Sequence, residues 1–243
     1  MKKAIIITFI VFLVIFGTVG AIIFDLWQFS MKSAGNTVTE KSITIRPGQT
    51  LKNTAGFLHK EGIITSASKF AWIARLKDYD KRLQAGEYIL SASMTPLKIL
   101  DMMVNGSVKL YKLTIPEGFN IFQISGIVKK SGFADKAEFL NFATDPAISR
   151  KMGIEATTLE GYLFPDTYFF PKGVTAERII SKMVARFREV FSEDWNKQAQ
   201  KMGLSIHLVV TLASIIEKET GAPIERPIIS SVFPPYDLSL QVV

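Results

Sequence analysis

The sequence predicts an α+β protein carried behind one N-terminal membrane helix. Three observations lead there. An uncharged, almost wholly apolar run extends from Ala4 to Phe24. Beyond it, short segments such as Ser42–Ile45 and Gly86–Leu90 have the period and turn punctuation of strands. Longer stretches between and after them carry apolar residues at helical spacing. The 243 residues leave room for one medium domain, or two small ones, beside an anchor.

The apolar run fits a bilayer. At 1.5 Å rise per residue, roughly 20 residues cross a hydrocarbon core of about 30 Å. Lys2 and Lys3 precede the run and Asp25 closes it. The excess of cations before the run assigns residues 1–3 to the cytoplasm, 4–24 to the span, and the rest to the extracytoplasmic side. A cleaved signal peptide would have a shorter apolar region ending at a small-x-small site, whereas Gly17 to Ala21 is followed by more apolar residues. Trp27 and Phe29 are expected at the far interface. Residues 25–41, rich in Ser, Gly, Asn and Thr in their second half, read as a tether.

Residues 42–110 read as a small β-α-α-β-α domain. Ser42–Ile45 alternates, and Pro47-Gly48 ends it. Thr50 caps a helix from Leu51 to Lys60 that aligns Leu51, Ala55 and Leu58. A second helix from about Ser66 to Leu76 turns Phe70, Ile73 and Ala74 inward. Gly86–Leu90 is the second strand. Thr95-Pro96 opens a third helix that Asn105-Gly106 stops after Val104. From residue 111 onward the pattern is mostly helical. Val108–Ile115 reads as a strand, with helices at Ile121–Ser131, Lys136–Ala143, Ala176–Lys201 and Ile206–Thr220. Between them lies Leu159 to Phe170, dense in aromatics and broken by Gly161 and Pro165.

Charge and composition narrow the function. The formal net charge of +7 suggests an anionic partner, although the basic residues read as spread along the chain. Delivery outside the cytoplasm argues against nucleic acid. The absence of Cys excludes disulfides and thiolate metal sites, and His59 and His207 are isolated, without ligand spacing. No cofactor or metal is expected.

The helix from His207 to Thr220 carries the candidate chemistry. With Leu208 at zero on a wheel turning about 100° per residue, Leu212, Ile215 and Ile216 fall within roughly a quadrant of it. Glu219 then lies about 20° from Leu208, on the end of the apolar stripe, and Glu217 about 180° away. The two carboxyls face opposite sides and cannot act as a glycosidase pair. A carboxyl on an apolar face is desolvated, which favours its neutral, proton-donating form. The competing reading is a partly buried Glu paired with Lys or Arg. Glu217 is expected on the solvated side.

These residues resemble a known family. Thr211-Leu212-Ala213-Ser214-Ile215-Ile216-Glu217-Lys218-Glu219-Thr220 is similar to the active-site helix of the endolytic murein transglycosylases. Leu159 to Tyr168 resembles a second signature, Ile115-Pro116-Glu117-Gly118 a third, and Ala85-Gly86-Glu87-Tyr88 a motif of that family's LysM-like domain. The resemblance implies a membrane-bound lyase that cuts the β-1,4 bond between N-acetylmuramic acid and N-acetylglucosamine within peptidoglycan strands. It leaves 1,6-anhydro ends and terminates glycan elongation. It implies a LysM-like domain at 42–110 and a catalytic domain at 111–243. The implied partners are peptidoglycan strands, the inner membrane and cell-wall synthases.

On the same resemblance Glu219 is the catalytic carboxyl, and Glu160, Tyr162, Asp166 and Tyr168 are candidate substrate contacts. Each has a plainer alternative: the aromatics as core, the two acids as caps of turns. After Phe233 the family pattern continues with Asn-Arg-Leu, whereas this chain reads Pro234-Pro235-Tyr236 through Val243. That departure suggests a copy truncated within the catalytic domain. The alternative function is then an inactive, membrane-anchored peptidoglycan-binding or scaffold protein.

Overall fold

The computed structural model describes residues 2–232, with side chains from Ile6 onward. The Pro234–Val243 tail lies outside the described residues. The chain divides into two compact units, one ending at Lys109 and one beginning at Leu110.

The first unit opens with α1 (Lys2–Met31), a helix long and apolar enough to cross a membrane. It is followed by β1 (Lys41–Ile45), α2 (Leu51–Lys60), α3 (Ala67–Leu76), β2 (Gly86–Leu90) and α4 (Pro96–Val104). The β-α-α-β-α order read from the sequence is the observed one. α2, α3 and α4 each start where a hydroxyl can accept an otherwise orphaned amide. Thr50, Ser66 and Thr95 accept from Asn53, Lys69 and Lys98 respectively. β1 and β2 pair antiparallel, with Ile43 opposite Tyr88 and Lys41 opposite Leu90.

The core of this unit joins Ile43, Ile45 and Leu90 of the strands to Leu58, Phe70, Ile99 and Met103 of the helices. Leu58 and Phe70 are fully buried, so truncating either to Ala would cost about 2–5 kcal/mol. Tyr88 is buried among them and donates from its hydroxyl to the Gln84 carbonyl at 2.7 Å. Its burial pushes the phenol up to about 12.

The tether expected from residue 25 begins later. α1 stays helical through Met31, Leu26 and Phe29 pack into the core, and Lys69 Nζ lies 2.7 Å from the Asp25 carboxylate. Beyond the helix, the Gly35 amide donates to the Ala92 carbonyl at 2.9 Å. The physical reason is that Leu26 and Phe29 gain more by joining this core than by staying at an interface.

The second unit comprises β3 (Tyr111–Thr114), α5 (Ile121–Lys130), α6 (Lys136–Ala143), α7 (Pro146–Lys151), β4 (Thr167–Phe170), α8 (Ala176–Val190), α9 (Glu193–Lys201), α10 (Ile206–Glu219) and α11 (Arg226–Val232). β3 and β4 pair antiparallel, with Leu113 opposite Tyr168. Their inner residues meet Ile124 and Val128 of α5, Phe139 of α6, and Ile179, Ile180, Met183 and Phe187 of α8 in one core. The single helix expected over Ala176–Lys201 is two. Phe191 leaves the helical region at φ −73°, ψ 79°, and Ser192 caps a new helix opening with Glu193 and Asp194. A Ser followed by two acids is a strong N-terminal signal, and it wins over continued helical periodicity.

Candidate active site

The second unit contains a groove of about 440 Å³, within the roughly 300–1,000 Å³ range of ligand clefts. One wall is the Val210, Ala213, Ser214 and Glu217 face of α10. The turn Glu117–Asn120 and the start of α5 form another. The Glu160–Pro165 loop closes one side, and Phe187, Phe191 and Trp195 supply an aromatic wall across the α8–α9 bend.

α10 is brought to this place by small residues. Gly161 has φ +81°, a region that L side chains rarely occupy. A Cβ there would stand 2.6 Å from a Val210 methyl, so only glycine lets the loop lie against the helix. Next to it the Tyr162 hydroxyl and His207 Nδ1 are 3.2 Å apart, with the two rings nearly parallel. At the other end Lys218 Nζ donates to the Gly118 carbonyl at 3.3 Å. These contacts tie the helix to both glycine turns, at Gly118 and Gly161.

The two carboxyls of α10 sit opposite to the expectation from the helical wheel. Glu217 lines the groove, is half-buried, and has Oε2 3.1 Å from Arg226 Nη2 of α11. Glu219 is exposed and lies outside the groove lining. Leu208, Leu212, Ile215 and Ile216 are only half-buried, and Val210 alone on α10 is buried. The wheel finds the most apolar face of a helix, whereas contact here is set by how closely the Gly161 loop approaches. The face it selects carries Val210, Ala213, Ser214 and Glu217, at spacing i, i+3, i+4, i+7. That small-residue stripe was the available signal for Glu217.

The other candidate residues separate. Glu160 borders the groove and accepts from the Ile121 amide at 3.0 Å, where the N-terminal end of α5 favours negative charge. Tyr162 and Tyr168 lie in the core, the plainer of their two readings: both are buried, and Tyr168 donates to the Phe164 carbonyl at 2.6 Å. The large rings fill space between β4, α8 and the loop, and their hydroxyls find partners inside. Burial raises both phenols, with the Glu155 charge adding to the effect at Tyr162 and Asp166 at Tyr168. Asp166 accepts from the Thr167 amide at 2.7 Å and from Arg186 Nε at 2.8 Å, and is not a groove residue. The backbone bond first, and the Arg186 bond second, hold its carboxyl below the usual range. Phe119, Trp195 and Arg226 border the groove without having been singled out from the sequence.

A family model for the YceG-like family matches residues 43–234. The chain belongs to the YceG-like family. Among its relatives, the endolytic murein transglycosylase of Streptococcus pneumoniae serotype 2 is 28% identical over 95% of this chain and 46% of its own length. That of Bacillus subtilis is 28% identical over 80% of this chain and 58% of its own. This YceG-like chain thus spans about half the length of these relatives. A solved structure, that of a putative yceG-like protein from Listeria monocytogenes, is 28% identical, with a TM-score of 0.44, covering 78% of this chain and 67% of the other.

Proposed function

We propose that the chain is a membrane-anchored endolytic lytic transglycosylase acting on peptidoglycan, with Glu217 as its acid and base. The observation that carries this reading is the groove itself: one α10 carboxyl facing an aromatic wall, in a chain of this family. Aromatic faces such as Trp195, 58% exposed, suit the apolar C–H faces of sugar rings.

One carboxyl suffices for the chemistry. Glu217 gives its proton to the glycosidic oxygen as the bond from that oxygen to C1 of N-acetylmuramic acid breaks. The resulting carboxylate takes the proton of the same sugar's 6-hydroxyl as that oxygen bonds to C1. The product is a 1,6-anhydro ring, and Glu217 ends protonated as it began. The nucleophile is held by the substrate, so a second carboxyl and a water are not required. Glu160, fixed on the Ile121 amide, and Phe119 and Trp195 orient the strand. α1 is read as a span with its N-terminus in the cytoplasm, and the first unit as a LysM-like module that binds glycan or spaces the groove from the bilayer.

The test is the product. Purified peptidoglycan strands incubated with the full chain in detergent should give internal cuts bearing 1,6-anhydro ends by mass spectrometry. Reducing ends instead would reject the lytic mechanism. A second reading is favoured by the Glu217–Arg226 contact: a carboxylate held by a guanidinium can serve to bind rather than cut. On that reading the chain sediments with insoluble peptidoglycan and releases nothing.

A further inference from the structure

The positive charge of this protein is not spread along it. Up to Lys109 the sequence has fourteen Lys and Arg against seven Asp and Glu, while from Leu110 on it has fifteen of each. The entire +7 belongs to the unit that contains α1; without Lys2 and Lys3, which precede the apolar run, residues from Asp25 to Lys109 carry twelve Lys and Arg against seven Asp and Glu, a net +5.

That unit is also held close to the end of the apolar run. Asp25 follows the run directly, and Lys69 of α3 is bonded to it at 2.7 Å. Phe29 lies beneath the same ammonium, with Nζ 5.9 Å from the ring centroid. If α1 spans, Lys69 sits in the headgroup layer, which is about 5–8 Å thick on each side. α3 then runs on from that level. At about 100° per residue, Trp72 and Leu76 fall on the Lys69 side of α3, and Phe70, Ile73 and Ala74 on the core side. Trp72 and Leu76 are 56% and 66% exposed, with Arg75 exposed between them and Lys77 just after. Trp72 is about 4.5 Å along the axis from Lys69 and Leu76 about 10 Å. An exposed Trp and Leu flanked by cations at this depth have the composition of an interfacial membrane surface.

We infer that the Lys69–Trp72–Leu76 face of α3 rests on anionic phospholipid headgroups of the bilayer that α1 crosses. The inference rests on the reading of α1 as a span. Trp72 and Leu76 enter the interface, Arg75 meets lipid phosphates, and Asp25–Lys69 fixes the depth; Lys77 turns away, its Nζ 5.7 Å from the Tyr79 ring centroid. Asp78 and Asp80 lie just beyond this face and limit the contact to its first part. The consequence is orientation: the α3 face adds a second contact to the docking of α1, and the two together fix how the first unit lies on the bilayer.

The experiment uses the full chain reconstituted in vesicles containing lipids brominated near the headgroup end. One variant keeps only Trp72 (Trp27→Phe with Trp195→Phe), and a second keeps only Trp27 (Trp72→Phe with Trp195→Phe). The replaced tryptophans are all exposed. In phosphatidylglycerol vesicles Trp72 should be quenched to about the extent of Trp27, and the quenching of Trp72, unlike that of Trp27, should fall in phosphatidylcholine or at high salt. Quenching of Trp27 with none of Trp72 would overturn the inference and leave the span standing. Quenching of neither would overturn both. Equal quenching of Trp72 in neutral vesicles would overturn headgroup recognition.

Discussion

Glu217 and Arg226 meet at 3.1 Å in the lining of the groove, joining the end of α10 to the start of α11. Glu219, two residues further along α10, is exposed. A two-residue step turns a helix by about 200°, so the two carboxyls report on different surfaces. Arg226 thereby acts as a clasp between two helices as well as a groove residue. Replacing it with Ala should loosen α11 and increase amide hydrogen exchange across 226–232. Protection unchanged from wild type would show that α11 is held without it.

Gly161 should tolerate no side chain. Gly161→Ala places a Cβ 2.6 Å from Val210 at φ +81°, which combines a clash with backbone strain. A cost of about 1–3 kcal/mol is expected from the strain alone. In a double-mutant cycle with Val210→Ala the two changes should couple, since the smaller residue relieves the clash. Additive losses in chemical denaturation would mean that the loop and α10 are not in this contact.

Asp166 should make stability depend on pH in the acid range. Its folded carboxyl is held below the ordinary value by the Thr167 amide and Arg186. Such a group stabilises the fold above its unfolded value, near pH 4, and loses that contribution as pH falls through the folded one. Wild type should therefore exceed Asp166→Asn in stability at neutral pH, and the gap should close on acidification. A gap that is constant from neutral pH to pH 3 would contradict this. Both side chains are about two-fifths exposed, so the effect is small and salt-sensitive.

Tyr162 separates core from contact. Tyr162→Phe keeps the ring that packs on Phe187 and loses only the bond to His207, a change of about 0.5–1.5 kcal/mol. Glycan binding should be unchanged in a peptidoglycan sedimentation assay. Trp195→Ala should do the reverse, leaving stability within about 1 kcal/mol while weakening sedimentation, because its ring is exposed and meets only the edge of the Phe191 contact. Intact binding in Trp195→Ala would remove the aromatic wall from the account.

Local signals carried much of the fold. Thr50, Ser66, Thr95 and Ser205 start helices where a hydroxyl precedes an apolar period, and those starts were legible. β4 was not, because Thr167–Phe170 is a strand only by pairing with β3, more than fifty residues away. The break at Phe191 was legible in principle from Ser192-Glu193-Asp194. The site was legible as a stretch of chain but not as a face. Periodicity ranks faces of α10 by greasiness, while the face that forms the groove is chosen by the absent side chain of Gly161. No wheel drawn on one helix contains that information.

The central claim is that the carboxyl facing the groove is the one that acts. The direct test is release of 1,6-anhydro fragments from peptidoglycan by wild type, Glu217→Gln and Glu219→Gln, each shown to sediment with the substrate. Loss of an acid-base group costs about 10²–10⁴-fold in rate. Glu217→Gln should fall by that order with binding retained, and Glu219→Gln should stay within a few-fold of wild type. Full activity in Glu217→Gln, with the loss appearing in Glu219→Gln, would contradict the account.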